Sequence, residues 1–286
     1  MATPLTDHTI YQKGAQVYQN QPKPGLWARI AQVFFSLYAL SFYFFLYAPI
    51  VLVVIFSFNV SRFPNNWAGF TLDWYVKLFG DYAIGFALKN TLIVSISSTI
   101  ISTIFGTMIS VGIERYRFRG KAPLDALLFL PIIIPDIAMA IMLLAFFVLV
   151  KMELGLSTII ISHVAFNIAF VAVIVRARMA SIDPGLEEAA SDLYANEWRA
   201  FWRVTFPLLL PGILAGALFA FTLSLDDYVI TFFTSGPGST TLPVRIYSMV
   251  KRGITPEINA VSSLLLLASM FLVPLSLWLQ RKGDDT

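Results

Sequence analysis

The run AQVFFSLYALSFYFFLYAPIVLVVIFSF, Ala31–Phe58, contains no charged side chain. A helix needs roughly 20 apolar residues to cross a bilayer core of about 30 Å, and this run is longer than that. A helix in a soluble protein is seldom apolar on every side, because its outer face meets water. The run therefore predicts a helix that crosses a membrane.

The composition of the whole chain supports the same environment. The chain is 57% hydrophobic and 13% charged, whereas soluble domains are roughly 45–50% apolar and about 25% charged. Five further windows resemble the first, so we expect an all-α membrane protein of about six transmembrane helices without a separate soluble domain. The predicted spans are Ala31–Phe58, Asn90–Ile113, Ala126–Val150, Leu154–Val175, Val204–Leu225 and Ile258–Gln280.

The distribution of basic residues predicts the orientation. With the N-terminus inside, most of the 20 lysines and arginines fall in inner segments, including the cluster Arg115–Lys121, as the positive-inside rule requires. We therefore expect a cytoplasmic tail at 1–30, a transmembrane domain at 31–280 and a second cytoplasmic tail at 281–286. The net charge of only +3 gives no basic face of the kind that nucleic-acid binding requires.

Several kinds of chemistry have no motif in this sequence. There is no cysteine, which excludes disulfides and thiolate metal sites. The one Gly-Lys pair, Gly120-Lys121, precedes Ala122 and is not part of a GxxxxGK[ST] phosphate loop. His163 stands in a predicted span without partners at ligand spacing, which favours an interhelical hydrogen bond over a metal site or proton relay. We expect no metal and no cofactor in this chain.

The segment between spans four and five is polar and long. It reads RARMASIDPGLEEAASDLYANEWRAFWRVTFPLLLP, Arg176–Pro211. Asp183 and Asn196 are suited to cap two short helices, and Glu187 and Glu188 fall in a first turn, where the helix dipole favours negative charge. From the residues alone, these helices could also lie at the membrane interface without a further role.

The spelling of this segment resembles a known family. Glu188-Ala189-Ala190, followed by Phe206-Pro207, is similar to the "EAA" loop of binding-protein-dependent ABC-transporter permeases. The resemblance implies a type I ABC importer permease-like bundle in which the loop 176–206 docks on a cytoplasmic ATPase that binds ATP and Mg. It assigns ATPase coupling to Glu187, Glu188, Ala189, Ala190, Asp192 and Tyr194.

One residue departs from the family pattern. The family usually has glycine where this chain has Tyr194. If the turn requires a positive φ at that position, tyrosine would cost about 1 kcal/mol or more. The departure leaves the detail of the turn open.

Further segments resemble one branch of the family. Four segments together look like the polyamine (spermidine/putrescine) importer permeases, and most like the second of their two permease subunits. They are SFNVSRF…NW.GFT.DWY at Ser57–Tyr75, RYRFRGK at Arg115–Lys121, TLSLDDYVI at Thr222–Ile230 and GPG…TLPVRIYSMVKRGITPEINA at Gly236–Ala260. The resemblance implies a bacterial inner-membrane location and a second permease subunit as partner. It also implies two ATPase subunits and an external solute-binding protein.

Four residues are candidates for the substrate path. Asp136 is the only acid within a predicted span and follows Pro135, which should break the helix. Asp226, Asp227 and Tyr228 stand near the outer end of span five. Carboxylates would match the charge of a polyamine, and aromatic faces or apolar walls would suit its methylene groups. Alternatively, Asp136 only caps a half-helix, and Asp226 and Asp227 cap a turn or contact the binding protein.

Two other classes of function stay open at this stage. A standalone secondary transporter or channel would need further intramembrane ionisable residues and commonly has internal repeats, neither of which we find. An intramembrane enzyme would need a motif such as HExxH or GxSxG, and both are absent from the sequence. Within the ABC class, the cargo could be another small cation, or an anion such as a phosphonate or a ferric complex.

Overall fold

The computed structural model describes residues 25–62, 66–183, 185–253 and 255–284, without the side chains of Ala28, Ser269 and 272–284. Most of the predicted tail 1–30, namely residues 1–24, lies outside the described residues. The chain divides into two units, with the boundary between Leu52 and Val53. The first unit holds most of helix α1 (Leu26–Phe56), within which Tyr43 and Tyr47 stack one turn apart at 6.3 Å.

Helices make up nearly all the regular structure of the described ranges, where the β-structure is one isolated bridge between Asn59 and Phe70. The second unit contains eleven of the described helices after α1 and a π-helical turn at Phe201–Thr205. These helices are α2 (Asp73–Gly80), α3 (Tyr82–Arg115), α4 (Lys121–Ile133), α5 (Asp136–Leu149), α6 (Leu156–Met179), α7 (Gly185–Asp192), α8 (Glu197–Ala200), α9 (Phe206–Asp226), α10 (Val229–Thr234), α11 (Leu242–Val250) and α12 (Pro256–Asp284).

The all-α membrane fold is confirmed, and the expected number of spans is roughly matched. Four helical stretches are long and apolar enough to cross a membrane, and the bent pair α4–α5 would make five. The predicted sixth span, Ile258–Gln280, falls within α12. In the described part of the chain, the apolar stretch of α12 is Pro256–Ala268, which is shorter than the four long stretches. The four long stretches are Arg29–Phe56, Tyr82–Arg115, Leu156–Met179 and Glu197–Asp226.

The predicted third span is sharply broken. The helix axis bends by 112° between α4 and α5. Ile134, which lies between them, has an extended backbone with φ −70° and ψ 132°. Pro135 causes the break, because proline disfavours helical geometry in the residue before it and cannot donate a backbone hydrogen bond. The expected kink is confirmed, but Ala126–Val150 is not one continuous helix.

Other boundaries also differ from the sequence prediction. α3 begins at Tyr82, well before the predicted Asn90, because Asp81 caps it by accepting from the backbone N–H groups of Ala83 (2.7 Å) and Ile84 (3.2 Å). Capping depends on a single polar residue and is independent of the apolar pattern used to find the span. The C-terminal end of α6 also lies beyond its predicted boundary. α6 extends to Met179 and so includes Arg176 and Arg178, which were expected in the loop.

α3, α6 and α9 form the centre of the second unit. Val171 of α6 lies between Gly106 of α3 and Gly216 of α9: a Cβ at Gly106 would be 2.8 Å from the Val171 Cβ, and one at Gly216 would be 3.3 Å from the Val171 Cγ1. Such close approach is typical of membrane helices that pack through small residues. Asn167 of α6 adds a polar contact by donating to the Ser224 Oγ of α9 at 2.8 Å.

The length of α3 defines two ends of the bundle. Its 34 residues span about 50 Å at 1.5 Å per residue. One end lies next to α2, where Asn90 donates to the backbone carbonyls of Gly238 (3.2 Å) and Thr240 (3.0 Å) beyond α10. The other end, Arg115, contacts α7. We call the end of the bundle near α2 and Asn90 the α10 end, and the end at Arg115 the α7 end.

Candidate functional site

The acids that the sequence singled out come together in one cavity. Asp136 from the start of α5 and Asp226 and Asp227 from the end of α9 line a space of about 410 Å³, which we call the acidic cavity. The break at Pro135 brings Asp136 there, because it ends α4 and starts α5 in a new direction. The remaining wall consists of Pro131, Met139, Phe166, Phe170, Leu223, Tyr228, Val229 and Ile230.

Asp136 is exposed to this cavity. The residue before it, Pro135, occupies the N-cap position, and α5 has no side-chain cap there. Among the described hydrogen bonds, none caps α5 with the Asp136 carboxylate. The alternative in which Asp136 only caps a half-helix therefore has no support in the geometry.

Asp227 is held by the protein itself. Its Oδ2 accepts from the Thr231 N–H (2.8 Å) and the Thr231 hydroxyl (2.9 Å), and its Oδ1 accepts from the Ile230 N–H at 3.3 Å. These contacts cap α10, so the capping role considered for Asp227 is confirmed. The buried His163 places its Nε2 3.3 Å from Asp227 Oδ2 and 3.0 Å from Thr231 Oγ1, which is the interhelical hydrogen bond expected of His163.

Asp226 and Tyr228 also line a second cavity. This space, of about 520 Å³, lies on the α11 and α12 side of the same chain segment. The Tyr228 ring packs against Tyr247 of α11 with a centroid distance of 4.3 Å. Asp226 and Tyr228 therefore contribute to the walls of both cavities.

The acidic cavity can attract and hold a cation. Its described lining contains three carboxylates and no lysine or arginine. Phe166 and Phe170, whose rings lie 6.5 Å apart edge to face, offer aromatic surface, and Met139 and Leu223 offer apolar surface. A carboxylate in a low-dielectric setting attracts an ammonium group strongly, and aromatic faces attract it further. Apolar walls suit the methylene chain between two ammonium groups.

The loop predicted for ATPase coupling, residues 176–206, which we call the coupling segment, contains α7. Glu187 faces inwards: its carboxylate accepts from the guanidinium of Arg115 and from the hydroxyl of Thr205. Arg115 and Thr205 were not among the predicted coupling residues. The Arg115–Glu187 pair joins residues 72 positions apart, and no local pattern of sequence predicts such a pairing.

The other predicted coupling residues form the outer surface of this segment. Tyr194 is 95% exposed and has a φ of 63°, so a positive φ is indeed present where the family usually has glycine. Asn196 caps α8 as expected, since its Oδ1 accepts from the Arg199 N–H at 2.9 Å. Glu188, Ala189 and Asp192 are exposed, and Ala190 is half-buried.

Comparison with known proteins identifies the family. Residues 102–282 match the family described as "Binding-protein-dependent transport system inner membrane component". The chain belongs to this family. It is a multi-pass inner-membrane permease subunit of the ABC importer type, and the family is not one of enzymes.

Individual relatives of the permease are named transport proteins. It is 41% identical over 231 residues to "Spermidine/putrescine transport system permease protein PotC" of Escherichia coli K12, covering 81% of this chain and 88% of the relative. It is 40% identical over 229 residues to "Putrescine transport system permease protein PotI" of the same organism, covering 78% and 82%.

A solved structure shares the fold of the permease. The bacterial ABC transporter involved in the import of the acidic polysaccharide alginate contains a chain that aligns with a TM-score of 0.67 at 17% identity, covering 90% of this chain and 96% of that one. At this identity the likeness concerns the fold alone. It agrees with the type I importer bundle expected from the sequence.

Proposed function

We propose that this permease forms half of the translocation path of an ATP-driven importer for polyamines. A second permease subunit would supply the other half, two cytoplasmic ATPase subunits would bind ATP and Mg²⁺, and an external solute-binding protein would deliver the cargo. Family membership supports this arrangement, because the family consists of inner-membrane components of binding-protein-dependent systems.

The charge distribution supports one orientation in the membrane. Arg115, Arg117, Arg119 and Lys121 cluster at the α7 end, and short loops rich in lysine and arginine stay in the cytoplasm. This orientation places the α7 end and both chain termini in the cytoplasm. The α10 end, with the acidic cavity near it, then faces outwards, from where a binding protein delivers cargo.

The exposed face of the coupling segment is suited to meet an ATPase. Glu188 and Asp192 offer charge, the small Ala189 allows close approach, and Tyr194 projects fully from the turn. In the proposed cycle, ATP closes the ATPase pair, α7 moves with it, and the bundle opens outwards to accept cargo. ATP can drive this change only by binding one of the two states more tightly than the other.

The acidic cavity is the observation that supports a polyamine cargo. A polyamine carries two or more ammonium groups on methylene spacers, and the cavity combines three carboxylates with aromatic and apolar walls. Asp227 is committed to α10 and His163, so Asp136 and Asp226 are the carboxylates better placed to bind cargo. The named relatives transport spermidine or putrescine, which favours the same cargo here.

Removing one of the two available carboxylates tests this proposal. Asp136→Asn and Asp226→Asn each delete a negative charge while keeping the shape of the side chain. A hydrogen bond to a charged group contributes about 1.5–3 kcal/mol, so we expect spermidine uptake at low concentration to fall about ten-fold or more. Uptake would be measured in proteoliposomes that contain the whole complex, its binding protein and ATP.

The matched control is Glu153→Gln. Glu153 is an exposed acid between α5 and α6, outside the lining of the acidic cavity, and its loss should leave uptake unchanged. Normal uptake in both aspartate variants, in complexes that assemble normally, would remove these residues from the path. A complex that transports a phosphonate but no polyamine would contradict the proposed cargo.

A further inference from the structure

Three side chains at the α7 end form a closed set of contacts, which we call the α3 clamp. Arg115, the last residue of α3, donates to Glu187 of α7 and to the Thr205 hydroxyl at 3.2 Å. Thr205, at the end of the π-helical turn, also donates to Glu187. The guanidinium of Arg115 lies 5.3 Å from the centroid of the Phe201 ring. The clamp therefore links α3, α7 and the base of α9.

The clamp is partly buried. Thr205 is 2% exposed, and the side chains of Arg115 and Glu187 are 20% and 35% exposed. Exposed ion pairs contribute little, because water and salt screen them. The Arg115–Glu187 pair is partly buried, shares Thr205 as a hydrogen-bonding partner, and has its guanidinium over an aromatic ring. It therefore fixes the geometry of the contact more strongly than an exposed pair would.

One of the helices that the clamp links to α7 leads to the acidic cavity, and the other contacts it near that cavity. α9 starts after Thr205 and ends at Asp226, which lines the cavity. α3 runs beside it, and the Ser98 hydroxyl lies 3.1 Å from that of Ser224, close to the end of α9. A displacement of Glu187 would thus reach the cavity wall through α9, and through α3 by its contact with α9.

The residue before Arg115 anchors α3 to its other neighbours. Glu114 accepts from Arg176 of α6 at 2.8 Å, and Arg176 also pairs with Asp125 of α4. The end of α3 is therefore bound on one side to α6 and α4 and on the other to α7. This arrangement allows α3 to pass a movement of α7 to the rest of the bundle.

We propose that Glu187 is a positioning residue that transmits the movement of α7 to α3 and α9 through Arg115 and Thr205, instead of contacting the ATPase. Its neighbour Glu188 is exposed, because successive residues of a helix point about 100° apart. The two adjacent glutamates thus have different roles. Glu188 faces outwards, towards the proposed ATPase, and Glu187 faces inwards, towards Arg115 and Thr205. This inference rests on the proposed ATP-driven cycle but not on the identity of the cargo.

Charge reversal within the clamp tests the proposal. Arg115→Glu and Glu187→Arg each bring like charges together, and the double variant Arg115→Glu/Glu187→Arg restores an opposite pair. We expect each single variant to lower the amount of cargo moved per ATP hydrolysed by at least about five-fold and the double variant to recover most of it. The control Arg117→Glu changes charge equally at an exposed residue beside the clamp and should have no effect.

A second measurement does not depend on the cargo. The chain has no cysteine, so Met139→Cys would place a single thiol in this chain, in the wall of the acidic cavity. In the whole complex, ATP should raise the rate at which a membrane-impermeant thiol reagent added outside modifies this position. Each single reversal should abolish that response, and the double variant should restore it. If ATP does not change the modification rate of Met139→Cys in the complex that carries no charge reversal, both the proposed cycle and this inference are wrong.

The outcomes separate the possible roles of Glu187. If Glu187→Arg releases the ATPase while Arg115→Glu does not, Glu187 is a surface contact and the proposal is wrong. A double variant no better than the single ones would also overturn it. Should the reversals fail to assemble, Thr205→Val, which replaces the hydroxyl with a methyl group, should still lower transport per ATP by about two-fold. An unchanged ratio of transport to ATP hydrolysis would contradict the proposal. A complex without polyamine uptake but with the expected thiol responses would contradict only the cargo.

Discussion

Tyr194 adopts a backbone conformation that suits glycine better than tyrosine. Its φ of 63° costs a residue with a Cβ about 1 kcal/mol. Tyr194→Gly should remove that strain and slow amide hydrogen exchange in 185–205 about five-fold. Hydrogen–deuterium exchange of the purified complex would measure this.

The neighbouring residue provides the control for this prediction. Leu193 has no positive φ and is similarly exposed. Leu193→Gly adds chain flexibility without relieving strain, and so should speed exchange in the same segment. Faster exchange in Tyr194→Gly as well would mean that the tyrosine side chain stabilises the turn more than its backbone geometry strains it.

Individual residues show where sequence reasoning succeeds and where it ends. Asp136 and Asp226 were singled out as carboxylates and Tyr228 as an adjacent aromatic residue, and all three line one cavity. An interhelical hydrogen bond of His163 was expected, but its partner Asp227 and the pairing of Glu187 with Arg115 could not be predicted. Each pair joins distant segments, and its geometry depends on how whole helices pack.

Among the elements, α3 and α6 depend on a close approach at a glycine. An alanine at Gly106 would put its Cβ 2.8 Å from that of Val171, whereas one at Gly112 on the same helix would meet nothing within 4 Å. Overpacking typically costs about 1–3 kcal/mol, so Gly106→Ala should lower the melting temperature of the detergent-solubilised protein. Gly112→Ala should leave it equal or raise it, because alanine is the better helix former. Equal melting temperatures in both variants would show that the helices adjust freely at this contact.

The elements were predictable to different degrees for a physical reason. Long apolar runs placed α1, α3, α6 and α9, because the thickness of the bilayer fixes their minimum length. Pro135 placed the break between α4 and α5, because proline acts locally. The π-helical turn at Phe201–Thr205 and the early start of α3 were missed, since they depend on capping and on contacts between elements.

At the scale of the whole molecule, the orientation is the prediction on which the proposed cycle depends. Val76 of α2 is 71% exposed near the α10 end, and Ala122 is exposed near the α7 end. Single cysteine variants at these positions, in a chain without other cysteines, can be labelled with a membrane-impermeant thiol reagent. In intact spheroplasts, we expect labelling of Val76→Cys and not of Ala122→Cys, which should react only after permeabilisation.

The opposite labelling pattern would put the α7 end outside the cell. The coupling segment would then lie out of reach of a cytoplasmic ATPase, and the cluster Arg115–Lys121 would violate the positive-inside rule. The clamp could still hold α3 to α7, but no movement driven by ATP could enter through it. The side of the membrane that α7 occupies therefore decides whether the ionic contacts at the end of α3 couple ATP to transport or only stabilise the bundle.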